Sequence, residues 1–146
     1  VVRAIPIRQA YLRADDKASI RVRIQGDGKA AITIKSSSAD LRRLELEYHI
    51  PTLEAESLIA LRQGVVIEKV RHVVPYEGLT WEVDVFEGEN AGLCVAEVEL
   101  VETTQHVPKP TWAGREVTGD ARYYNGSLAS FPFSRWPREP QSLRQA

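Results

Sequence analysis

The chain has 146 residues, 43% of them hydrophobic, and 19 basic against 20 acidic side chains for a formal net charge of -1. This is the length and core-forming content of one folded domain, and the near-neutral balance excludes a global field that would draw it to nucleic acid or an anionic membrane. The lone Cys94 excludes an intramolecular disulfide and fits a reducing, cytoplasmic setting, while the apolar runs fall short of the roughly 18 to 20 residues a membrane helix needs.

Alternation of apolar and polar residues predicts a first strand over Pro6–Leu12. Strands over Ser19–Gln25 and Ala30–Ser36 follow, joined by a "GDG" turn in which Gly26 or Gly28 supplies a positive φ. Next comes a strand over Arg42–Ile50, then a helix in "TLEAESLIALRQG", which starts after Pro51, carries Glu54 and Glu56 in its first turn and stops at Gly64. Strands over Val66–Val74, Leu79–Phe86 and Leu93–Val101 complete the alternating part. Beyond Thr103 the Pro-, Trp- and Tyr-bearing segment predicts short helices and loops packed on the sheet. Residues 1–136 then form one mainly β, α+β domain, and 137–146, with Pro137 and Pro140, a frayed tail. Consecutive antiparallel strands favour a meander closing toward a barrel, since closure removes exposed edges.

Residues at i and i+2 share a strand face, so the charges can be sorted. Arg21 and Arg23 oppose Ile20, Val22 and Ile24, and Lys35 and Thr33 oppose Ile32 and Ile34. Arg43, Glu45 and Glu47 fall together, as do Lys69 and Arg71, Glu82 and Asp84, and Glu97 and Glu99. Each strand alone reads as a solvated sheet face. Segregation by sign argues otherwise, because like charges at close spacing repel unless a ligand compensates them. A polyanion with its metal would do so, with guanidinium and ammonium groups on phosphate oxygens and carboxylates on Mg²⁺.

Other site types fit poorly. His49, His72 and His106 lack zinc spacing, and "GDGKA" lacks that of a phosphate-binding P-loop. Cys94 has no adjacent base, and Trp81, Trp112 and Trp136 read as packing residues rather than a base-stacking platform.

The ordered set "IRQAYL", "IRVRIQGDGKAAITIKS", "RRLELEYHIP", "EKVRHVV", "LTWEVDVFEGENAGLCVAEVEL" and "EVTGDARYYNGSLA" resembles the CYTH superfamily of triphosphate tunnel metalloenzymes, in its short bacterial branch. The resemblance implies an antiparallel, eight-stranded β-barrel, open as a tunnel, that hydrolyses or rearranges a triphosphate with Mg²⁺ or Mn²⁺. Carried over by motif, Arg21, Arg23, Lys35 and Arg71 bind phosphate, with Lys35 and Arg71 the candidate catalytic residues. Asp84, Glu97 and Glu99 are metal ligands, Glu45 and Glu47 with Arg43 form another charged strand, and Lys69 and Arg122 are further substrate contacts. The family normally opens with an E-x-E-x-K strand, which nothing between Val1 and Ser19 matches. The first strand is therefore expected to lie upstream of this sequence, which begins at Val1 and contains no methionine.

The resemblance points first to an inorganic triphosphatase acting on tripolyphosphate. A class IV adenylate cyclase or a thiamine triphosphatase would share the phosphate site, and a non-catalytic polyphosphate- or nucleotide-binding module would share its cations. A carrier barrel would instead have an apolar interior. A homodimer is an expectation from the resemblance alone.

Overall fold

The computed structural model describes residues 3–36, 44–98 and 107–137. Among them, seven strands form one antiparallel sheet: β1 (Arg3–Ala14), β2 (Ala18–Gln25), β3 (Ala30–Ser36), β4 (Glu45–Ile50), β5 (Gln63–Tyr76), β6 (Leu79–Glu87) and β7 (Cys94–Val98). Their order is β4-β3-β2-β1-β5-β6-β7, so β1 lies at the centre. The eight-stranded closed barrel is not seen among the described residues, where β4 and β7 are edges. The E-x-E-x-K strand that would add an eighth has no match in the sequence.

Turn chemistry sets the β2–β3 register. Gly28, at φ +88°, donates its N–H to the Gln25 carbonyl at 2.9 Å, and Asp27 accepts from the Lys29 N–H at 3.0 Å. Of the two glycines, Gly28 thus supplies the positive φ. α1 (Thr52–Ile59) is shorter than the expected helix. Its end tightens through Leu61 N–H to Leu58 and Arg62 N–H to Ile59 bonds, three residues apart rather than four, and β5 begins at Gln63. Leu61 is 72% exposed, so no buried apolar contact extends the helix.

The sheet buries both faces, by different means. On one, Ala10, Val22, Ile24 and Ala30 pack under Ala55 and Ile59 of α1, and Arg8 donates two hydrogen bonds to Glu56 of the helix at 2.8 and 3.0 Å. On the other, α2 (Asn125–Ser130) sets Leu128 and Ala129 against Tyr11, Ile67, Phe86 and Leu93. This second core covers one end of a face that is otherwise charged. Trp81 and Trp112 meet edge-to-face at 5.6 Å, and Tyr123 and Phe133 pack on Trp136, consistent with packing roles. No helix among the described residues is long and apolar enough to cross a membrane.

Candidate functional site

The strand registers place the charged residues on one face, row by row. Gln9 pairs with Arg23 and Tyr11 with Arg21 across β1 and β2. Arg21 pairs with Thr33, and Thr33 and Lys35 with Glu47 and Glu45 of β4. On the far side of β1, Ile7 pairs with Lys69, Arg71 with Asp84, and Glu82 with Glu97. Across the sheet, the face thus carries carboxylates on β4, cations on β3 and β2, neutral β1, cations on β5, and carboxylates on β6 and β7. The cations Arg21, Arg23, Lys69 and Arg71 flank the central strand.

The most enclosed part lies on β5 and β6. Lys69 has a fully buried side chain, with Nζ 2.8 Å from Asp84 Oδ2. It donates to Asn125 Oδ1 of α2 at 3.1 Å and lies 5.4 Å from the centre of the Phe86 ring. Arg71 grips the same carboxylate in bidentate fashion, at 2.8 and 3.0 Å, and lies 3.6 Å from Glu82. Burial lowers Lys69 to about 8 against the opposing pull of Asp84. Burial also pushes the Asp84 carboxyl upward, but Arg71 and Lys69 together hold it below its ordinary value. Asp84, an expected metal ligand, bridges these two cations.

On β2, Arg23 donates from Nε to Gln9 Oε1 at 2.8 Å. Its pKa falls to about 10, first through burial and then through repulsion from Arg21 and Arg71. Arg21 reaches Thr33 Oγ1 at 3.4 Å, and that hydroxyl donates to Glu47 at 3.1 Å. Arg21, Thr33 and Lys35 line a hollow of about 40 Å³ with Tyr11 and Ser19. Lys35 and Glu45 are 3.6 Å apart and exposed, so this pair is open to exchange for another partner.

Three further expected residues are not among these contacts. Arg122 sits on a short 3-10 helix, Ala121–Tyr123, where it pairs with Asp120 at 2.9 Å and lies over the Trp136 ring at 5.0 Å. Arg43 and Glu99 lie outside the described residues. Gln9 and Asn125 are functional candidates that the sequence reading did not pick out. The signal for Gln9 was a polar residue flanked by Ile7 and Tyr11 on one strand face. For Asn125 there was none, since its partner Lys69 is 56 positions away.

Among the described residues, no group of three or more His, Cys, Asp or Glu side chains gathers as a metal cage. A cleft of about 580 Å³ over β6 and β7 is, however, lined by Glu82 and Glu97 together with Thr80. These are hard oxygen donors. Mg²⁺ takes one or two carboxylates and completes its shell with water and substrate phosphate, so this donor set fits such an ion.

Comparison with known proteins gives a consistent result. The CYTH domain family matches residues 1–129. An inorganic triphosphatase of Acetivibrio thermocellus is 44% identical over 137 residues, which is 93% of this chain and 87% of that protein. An inorganic triphosphatase of Nitrosomonas europaea is 37% identical over 131 residues, 86% of this chain and 85% of that protein. The crystal structure of the inorganic triphosphatase NE1496 aligns with a TM-score of 0.68 at 34% identity, covering 87% of this chain and 83% of that one.

Proposed function

The chain belongs to the CYTH domain family, and on that premise we propose that it is an inorganic triphosphatase, a hydrolase that cleaves a phosphoanhydride bond of tripolyphosphate. The observation that carries this reading is the row of Arg21, Arg23, Lys69 and Arg71 on either side of β1, bounded by carboxylates on both flanks. A linear polyanion laid across β1 meets cations along its length and oxygen donors beyond them.

Phosphoryl transfer to water depends mainly on positioning and on stabilising developing charge. Arg21 and Arg23 hold phosphate oxygens from the β2 side and Lys35 from β3, where its exposed ammonium can leave Glu45 for a stronger anion. Arg71 faces the phosphates from β5 and Lys69, buried beside it, adds its charge to the substrate site, both oriented by Asp84 at hydrogen-bond distance. Lys35 and Arg71 absorb charge on the leaving oxygen. Glu82 and Glu97, with Asp84 and Glu99 as further oxygen donors, would hold Mg²⁺ or Mn²⁺, and Glu45 and Glu47 offer a separate set of oxygen donors on the β4 flank. When bound, that ion neutralises phosphate charge and polarises the scissile bond. The single Cys94 supports a reducing, cytoplasmic site of action.

The test is phosphate release from tripolyphosphate with Mg²⁺, with Mn²⁺ and with excess chelator, alongside ATP assayed for both phosphate and cyclic AMP. The expected result is metal-dependent release from tripolyphosphate with little from ATP. Cyclic AMP formation would move the assignment to a cyclase. Tripolyphosphate binding without turnover would make this a binding module.

A further inference from the structure

β1 crosses the middle of the charged face, and its polar contributions there are Tyr11, opposite Arg21, and Gln9, whose side chain is fully buried. Its Oε1 accepts from Arg23 Nε at 2.8 Å. That bond fixes the orientation of the amide, because only the oxygen of a carboxamide can accept from a guanidinium. Nε2 is then turned away from Arg23, and it has no acceptor among the described residues. Arg21 Nε, two pairs along the same β1–β2 register and so on the same face, is likewise buried without an acceptor.

A buried donor left unpaired is costly, and native proteins hold few of them. Two such donors, an amide and a guanidinium, lie together on a face that also presents Arg23, Lys69 and Arg71. Both donors call for an oxygen acceptor, and the surrounding cations, which the neutral Tyr11 hydroxyl beside Arg21 does not compensate, favour one that carries negative charge. A neutral amide is suited to this place: it adds a donor between cations without adding to the repulsion among them.

We propose that Gln9 is a substrate-binding residue of the triphosphate site, its oxygen holding the Arg23 guanidinium while its Nε2–H donates to a non-bridging phosphate oxygen beside Arg21. This rests on the triphosphatase reading and adds to it a contact that discriminates by geometry as well as by charge.

The experiment is a double-mutant cycle on tripolyphosphate affinity, measured by calorimetry in EDTA to suppress turnover. It compares the wild type, Gln9→Leu, Arg23→Ala and the double variant. Loss of a hydrogen bond to a charged oxygen is expected to weaken binding about tenfold in Gln9→Leu, and still severalfold in the Arg23→Ala background. Gln9→Met, of similar length and without a donor, should reproduce the loss and so separate it from a folding defect. If Gln9→Leu has no effect once Arg23 is gone, the amide acts only through the guanidinium and the proposal is overturned. A wild-type protein that neither binds nor hydrolyses tripolyphosphate overturns the functional reading and this proposal together. A wild type that binds, with an insensitive Gln9, overturns the proposal alone.

Discussion

A carboxylate buried between an ammonium and a guanidinium, as Asp84 is between Lys69 and Arg71, holds three charges in place that none of them could hold singly. Removing the carboxylate leaves the buried Lys69 ammonium without a counter-charge and Arg71 with Glu82 alone, and breaking such a buried pair typically costs about 3–5 kcal/mol. Asp84→Asn should therefore lower the melting temperature at pH 7 by roughly 10 °C for a chain of this size, and remove turnover by releasing Lys69 and Arg71. The pH dependence carries a sign. Because the folded state holds Asp84 below its ordinary pKa of 3.8, its stabilisation is complete above that value and is lost as the pH falls below it. Thermal melts from pH 7 down to pH 2 should show the wild type and Asp84→Asn converging in acid. A variant as stable as the wild type at pH 7 would refute the assignment of Asp84 as the anchor of the two cations.

At the scale of elements, the docking of α2 on β5 depends on a glycine. Gly64 has φ +70°, and a Cβ there would lie 2.2 Å from the Ala129 carbonyl oxygen, a backbone atom that cannot swing aside. Gly64→Ala adds a strained backbone of about 1–2 kcal/mol to that clash. It should displace α2 and so release Asn125 from Lys69. Limited proteolysis should then cut the region from 125 to 137 faster in the variant, and an unchanged cleavage pattern would show that α2 is held by other means. Much of this architecture was legible beforehand. Alternation alone located β2 and β3 almost to the residue and sorted Arg21, Arg23, Thr33 and Lys35 onto one face, because a strand's period is a local property. What alternation cannot carry is which strands are neighbours. The Gln9–Arg23 and Lys69–Asn125 contacts join positions 14 and 56 apart, and only the register and the packing of α2 bring them together. The end of α1 was misjudged for a related reason: Gly64 lies inside β5, where it seats α2 rather than terminating the helix.

For the whole molecule, a net charge of -1 conceals a face on which like charges are held close. Arg23 shows the strain most directly, its pKa pulled down to about 10 by burial and by its neighbours Arg21 and Arg71. Repulsion of this kind destabilises the free fold and is relieved when an anion binds, so affinity and stability are coupled. Tripolyphosphate added in EDTA to about 100 times its dissociation constant should stabilise the wild type by about 2.7 kcal/mol. For a chain of this length, that is a rise in melting temperature of roughly 5–10 °C. Arg23→Met should melt no lower than the wild type without ligand, since it removes a buried, repelled cation, yet gain much less from tripolyphosphate. Differential scanning fluorimetry of both proteins, with and without the polyanion, reads the two quantities at once. A variant that gains as much as the wild type would place the polyanion away from β2. A free variant that melts far below the wild type would mean that the Gln9–Arg23 bond stabilises the fold more than charge repulsion strains it.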